Sequence, residues 1–160
     1  MPIVFTRRTI TAALTMAPLL ATARAQTAAP EIHVTKDPGC DCCNGWVDHL
    51  RQAGFSVRVT NSADLAALKR RLGIPEQLAS CHTADVGGLV IEGHVPADAI
   101  RRFLAEKPPG AKGIAVPGMP IGAPGMEVAG ASPETYDVHV FGDFGQRPFA
   151  RYQGAKEIRR

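Results

Sequence analysis

Residues 31–59 alternate strand, loop, helix and strand with little chain to spare, and that alternation limits the fold more than any other feature. Glu31-Ile32-His33-Val34-Thr35 is alternating and rich in β-branched residues, which suits a half-buried strand. Lys36-Asp37-Pro38-Gly39 reads as a loop. A helix is expected over 41–53, stopped by Gly54, with Cys43, Val47 and Leu50 on one face and Trp46 beside them. Phe55, Val57 and Val59 then alternate as a second strand. A strand–helix–strand unit of this kind demands a parallel strand pair and a right-handed crossover.

Farther along, Ser62 or Asn61 is expected to cap a second helix with Leu65, Leu68 and Leu72 on one face and Gly73 at its end. A short helical turn fits 75–78. Two strands, 81–85 and 89–95, meet at Gly87-Gly88 as a hairpin. Pro96 opens a third helix that turns Ala97, Ile100, Phe103 and Leu104 inward. The order β-α-β-α-β-β-α is that of a thioredoxin-like α/β fold, a central mixed sheet flanked by helices. Residues 108–130 hold five Pro and six Gly, so regular structure is not expected there. A loop this long in a compact domain is functional or disordered. Ile114, Val116, Met119, Ile121, Met126 and Val128 argue against disorder, so this Pro/Gly/Met loop is expected to pack on the domain. Residues 136–141 alternate and fit an edge strand, and the basic tail with Lys156, Arg159 and Arg160 is expected to fray.

The first 25 residues have the parts of an export signal: Arg7-Arg8, an apolar run from Ile10, and the small-residue site Ala23-Arg24-Ala25 before Gln26. Thr6-Arg7-Arg8-Thr9-Ile10 is a partial match to a twin-arginine signal, and general secretory export fits equally. With no Cys near the cleavage site a lipid anchor is not expected, and the apolar run is short for a spanning helix. Residues 26–160 are therefore expected to be a single periplasmic domain. The leader also carries the charge excess. The formal net charge is +3, from 18 Lys+Arg against 15 Asp+Glu, and Arg7, Arg8 and Arg24 supply all of it. What remains is balanced and has no basic stripe, which argues against a nucleic-acid partner.

All four cysteines lie beyond the leader, three of them in Cys40-Asp41-Cys42-Cys43 and the last at Cys81. An oxidising compartment ordinarily pairs an even number of cysteines. Neighbours Cys42 and Cys43 are poorly placed to bond each other, so two purely structural disulfides are the third reading here. The cluster stands where a loop enters a helix, and a helix N-terminus favours thiolate over thiol. Thiolate is both the nucleophile of disulfide exchange and the ligand of soft metals. Cys40 and Cys43 have C-x-x-C spacing, which supports a thiol–disulfide oxidoreductase with Cys40 as nucleophile and Cys43 as resolver. Cys42 is an extra thiol that would compete in such an enzyme but would serve a metal site. Four sulfurs select Cu(I), Zn(II) or an iron–sulfur cluster. Cys81-His82 does not complete a zinc-finger pattern, so zinc fits less well. Met119 and Met126, the only methionines beyond the leader, add thioethers that suit Cu(I), or else plug the loop as apolar residues. His82 is a further candidate ligand, weakened if it shares a strand with Cys81, because neighbours on a strand face opposite ways. His33, His49, His94 and His139 are not assigned as ligands.

The chain resembles the CopG-type periplasmic copper-resistance proteins. The resemblance rests on Lys36-Asp37-Pro38-Gly39-Cys40-Asp41-Cys42-Cys43, Cys81-His82-Thr83, Val90-Ile91-Glu92-Gly93-His94-Val95-Pro96, Val116-Pro117-Gly118-Met119-Pro120 and Gly125-Met126-Glu127. It implies a thioredoxin-like domain that binds copper through Cys40, Cys42, Cys43 and Cys81, at a site that can hold more than one ion. It further implies a role in copper resistance by sequestration or by redox cycling of copper, with other periplasmic copper-handling proteins as partners. Ser80-Cys81 stands where thioredoxins carry a proline opposite the dithiol, which favours metal binding over disulfide exchange.

Overall fold

The structure is a computed structural model and describes residues 30–158. The export signal expected over 1–25 lies outside the described residues. The chain runs β1 (Ile32–Lys36), α1 (Asp41–Gln52), β2 (Val57–Asn61), α2 (Leu65–Arg71), a 3-10 turn (Glu76–Leu78), β3 (His82–Val86), β4 (Leu89–Glu92) and α3 (Ala97–Glu106). Then follow β5 (Ala111–Ala115), β6 (Thr135–Gly142), β7 (Gly145–Gln153) and β8 (Lys156–Glu157). All eight strands join one mixed sheet in the order β2-β1-β3-β4-β5-β6-β7-β8. Among the described residues no helix is long and apolar enough to cross a membrane.

The strand–helix–strand unit at the start behaves as its spacing requires. β1 and β2 pair in parallel, with Val34 beside Val59, and α1 crosses between them. Trp46, Val47 and Leu50 of α1 are buried in the main core with Ile32 and Val34 of β1 and Ile100 and Phe103 of α3. Strand alternation divides the core between the two faces of the sheet. Ile91 and Ile114 belong to the main cluster, while their neighbours Val90 and Ala115 join Ile74, Leu78 and Phe141 in a smaller one.

Several boundaries differ from expectation. β2 extends through Asn61, paired with Lys36, so the cap of α2 moves on to Asp64, whose carboxylate accepts from Ala67 N at 2.9 Å. β4 ends at Glu92 rather than Val95, because Gly93 adopts φ 72° and turns the chain out of the sheet. The stretch 108–130, expected to lack regular structure, contains β5, which pairs in parallel with β4 and antiparallel with β6. Its Ile114-Ala115-Val116 run is fully buried, and that burial outweighs the flanking Pro and Gly. β6 is consequently an interior strand and not an edge, since β5 and β7 flank it. Of the tail expected to fray, Lys156 pairs with Gln153 in β8, while Arg159 and Arg160 lie outside the described residues. β7 escapes a reading by alternation because Pro148 interrupts it. The ladder absorbs that proline with a register shift beside Val138 and His139, where the missing N–H matters least.

Gly93 cannot be replaced freely. Besides its left-handed φ, an added Cβ would lie 2.5 Å from the Val116 carbonyl oxygen and 2.6 Å from the Ser80 side chain. Gly93→Ala is expected to lower the stability of the protein by about 3 kcal/mol, read as a shift in the urea unfolding midpoint.

Candidate metal centre

The cysteines gather where α1 begins. Asp37 shapes the approach, its carboxylate accepting from Gly39 N at 2.8 Å and its carbonyl from Cys40 N at 3.1 Å. Cys40 is then the last extended residue before α1, with φ −85° and ψ 96°. Cys42 and Cys43 fall in the first turn of the helix, and Cys43 is fully buried. Cys40 and Cys43 form a disulfide, their Cα atoms 5.4 Å apart, while Cys42 and Cys81 are free thiols. This is the C-x-x-C pair that the oxidoreductase reading names. The remaining sulfurs crowd against it: Cys42 Sγ is 3.4 Å from Cys40 Sγ, and Cys81 Sγ is 3.6 Å from Cys43 Sγ and 3.9 Å from Cys42 Sγ. All four Sγ atoms lie within 4.8 Å of one another.

Cys81 is the hub of a second group. Its Sγ lies 3.2 Å from His82 Nδ1 and 3.1 Å from His94 Nε2. Cys81 sits just before β3, outside the pleat, so strand alternation does not separate it from His82. His94, not assigned as a ligand from the sequence, is thus brought to the cysteines. The hairpin register could have found it. Thr83 and Glu92 are the last ladder pair at this end of the hairpin, and just beyond them Gly93 turns His94 toward Cys81. His94 Nδ1 lies 2.8 Å from the Pro124 carbonyl, which can only accept, so Nδ1 carries the proton and Nε2 offers its lone pair to Cys81.

Burial sets the charge state of this group. It holds His82 well below the ordinary imidazole range, and it lowers His94 as well. The Cys81 thiol is pushed up to about 12, by burial first and then by the neighbouring Cys42. Without metal the centre is therefore a neutral thiol donating to a neutral imidazole. The Trp46 ring closes over His82, centroids 4.3 Å apart, and is pinned by its Nε1–H donating to the Val95 carbonyl at 2.8 Å.

The Pro/Gly segment straps across the centre. Ser80 Oγ donates to the Gly118 carbonyl at 2.5 Å, and Gly118 N donates to the Ala79 carbonyl at 3.3 Å. Gly125 lies so close to α1 that an added Cβ would meet Cys42 O and Trp46 N at 2.5 Å. Met119 and Met126 each follow one of these contact points in the chain. Met126 packs on the core, and Met119 is 53% exposed. The other histidines are placed elsewhere: His33 pairs with Glu31 at 2.8 Å, His49 Nε2 accepts from Ala97 N at 3.1 Å, and His139 stands on β6.

Comparisons with known proteins bear on this centre. The family described as "Protein of unknown function, DUF411" matches residues 78–126, a span that holds Cys81, His82, His94 and both methionines. Two solved structures titled copper resistance protein CopG, form 1 and form 2, are each 39% identical to this chain with a TM-score of 0.72. The alignments cover 79% and 78% of this chain and 99% and 98% of theirs. No curated protein matches.

The depressed histidines make the metal-free protein acid-sensitive. Unfolded, both imidazoles take up protons as the pH falls through about 6.5, while burial in the folded protein opposes that uptake. Their contribution is complete above that pH and is lost progressively below it. Glu92, whose carboxyl burial raises, contributes with the opposite sign. Urea midpoints of the metal-free protein are expected to fall between pH 7.5 and pH 5.5, by about 1 kcal/mol or more in stability, and His82→Leu is expected to flatten that fall.

Proposed function

Because this chain belongs to the family of the copper resistance protein CopG, we propose that it binds copper as Cu(I) at the sulfur cluster and contributes to copper resistance. The observation that carries the reading is the convergence of Cys40, Cys42, Cys43 and Cys81, four sulfurs within 4.8 Å, on a helix N-terminus. Thiolates are soft ligands, and Cu(I) is the soft ion among the common choices. His82 Nδ1 and His94 Nε2 supply nitrogen ligands on the far side of Cys81. A cluster this compact suits more than one ion sharing bridging thiolates, with Met119 and Met126 as thioether contacts at its margin.

The Cys40–Cys43 disulfide sets a condition on that role. Its two sulfurs become thiolate ligands only after two electrons reduce the bond. Reduced protein is then the copper-holding form, and oxidation of the Cys40/Cys43 dithiol back to its disulfide releases two protons and two electrons, enough to reduce two Cu(II) ions to Cu(I). A periplasmic location, reached through the export signal in 1–25, is the compartment where this disulfide can form and where copper-handling partners would meet it. The β2-β1-β3-β4 order, with β3 antiparallel to its neighbours, supports a thioredoxin-like reading of the first four strands, with β5–β8 as an extension. A second reading, thiol–disulfide oxidoreductase, is favoured by the disulfide itself, a C-x-x-C pair at the start of α1.

Titration of Cu(I) against a chromophoric Cu(I) chelator separates the two. Reduced protein is expected to compete well, and the Cys40/Cys42/Cys43→Ser variant to bind at least about tenfold more weakly, a difference of 1.4 kcal/mol. Equal affinity would remove the copper reading. A mixed disulfide trapped on Cys40 in Cys43→Ser, with no copper effect, would establish the oxidoreductase instead.

A further inference from the structure

Directly beneath the centre lies a buried charge cluster that touches none of the sulfurs. Glu92, at the end of β4, is fully buried. Its Oε1 accepts from Ser80 N at 2.6 Å, and its Oε2 accepts from the Thr83 hydroxyl at 2.6 Å. Lys69 reaches in from α2, its ammonium donating to Glu92 Oε1 and, at 2.8 Å, to Thr83 Oγ1. One carboxylate therefore grips the chain on both sides of the Cys81-His82 dipeptide. The Gly93 N–H adds a third hold, donating to the His82 carbonyl at 3.1 Å.

A buried ion pair is a poor device for stability alone, because desolvation offsets most of its attraction. Here it also shapes α2, which has no fully buried residue and sends Lys69 inward from a half-buried face. What the pair does distinctively is hold Ser80 N–H and Thr83 OH a fixed distance apart. Cys81 lies between those two anchors, and its Sγ must stay within reach of Cys42, Cys43, His82 and His94 at once.

We propose that Glu92, charge-matched by Lys69, is the positioning residue for the Cys81 half of the metal centre. It acts through the backbone of Ser80 and the hydroxyl of Thr83 and makes no contact with the metal. The inference rests on the reading of Cys81 as a copper ligand. Without the carboxylate, Ser80 N–H loses its acceptor, the Cys81-His82 dipeptide can pivot, and Cys81 Sγ leaves the cluster. Glu92 and Cys81 then contribute through one route, so substitutions at the two cannot be additive.

The test is a double-mutant cycle on the full reduced protein, with Cu(I) as the probe and a Cu(I) chelator as competitor. Glu92→Leu/Lys69→Leu removes the clamp without stranding a lone buried charge. It is expected to weaken Cu(I) binding by about 10–100-fold and to diminish the Cu(I)–thiolate absorption in the near ultraviolet. Adding Cys81→Ser to it is expected to cost no more than about twofold beyond that. Glu92→Gln/Lys69→Leu keeps an acceptor for Ser80 N–H and is expected to recover most of the affinity. If the Leu pair does not fold, Thr83→Val removes one anchor with both charges in place and should show the same non-additivity at smaller size. Full additivity in a background where Cys81→Ser alone weakens binding would overturn the positioning role and leave the copper reading standing. Unchanged affinity in Cys81→Ser alone would overturn Cys81 as a ligand and the inference with it.

Discussion

Across the β3–β4 pair Thr83 faces Glu92 at the end of the ladder, and just beyond it, past the turn at Gly93, Cys81 meets His94. The centre depends on that register. A slip of one residue would turn every side chain of the hairpin to the opposite face. Cys81 would then leave the sulfurs at the start of α1, and Glu92 would lose Thr83. The Gly87-Gly88 turn sets the register locally, with both glycines at positive φ. β1 on one side and β5 on the other hold it from outside.

Around that hairpin the protein keeps charge low where sulfur density is high. His82 and His94 stay neutral because burial penalises the imidazolium, and Cys81 keeps its proton for the same reason. The fully buried Glu92 carboxylate is matched by the Lys69 ammonium. Of these groups only the thiols would have to give up protons to bind a cation, the imidazoles offering neutral lone pairs, and that requirement favours an ion that bonds strongly to thiolate. Opening the Cys40–Cys43 bond would double the number of sulfurs available, from two free thiols to four.

Much of this was legible in the sequence, and the failures have physical causes. The β1–α1–β2 unit, the hairpin and α3 follow from alternation, helical spacing, Gly87-Gly88 and Pro96, all signals confined to a few adjacent residues. The cysteine cluster was visible because its members are neighbours in the chain. β5 was hidden by flanking Pro and Gly, since its stability comes from burial against β4 and β6. β7 was hidden by Pro148, tolerated only because β6 shifts register beside it. His94 looked like any other histidine, and only the turn at Gly93 beyond the end of the β3–β4 ladder brings it to Cys81, thirteen residues earlier.

By itself the sequence determined which chemistry the chain can offer: four thiols, three of them at a helix start, and an order of strands and helices that leaves few topologies open. Those are local properties, set by residue type and spacing. Tertiary structure alone decided which of these groups meet. The approach of Cys81 to Cys42, the arrival of His94 and the Glu92 clamp beneath them all join residues from separate parts of the chain. Such meetings depend on sheet register and on the burial that holds it, and neither is written in any single stretch of the chain.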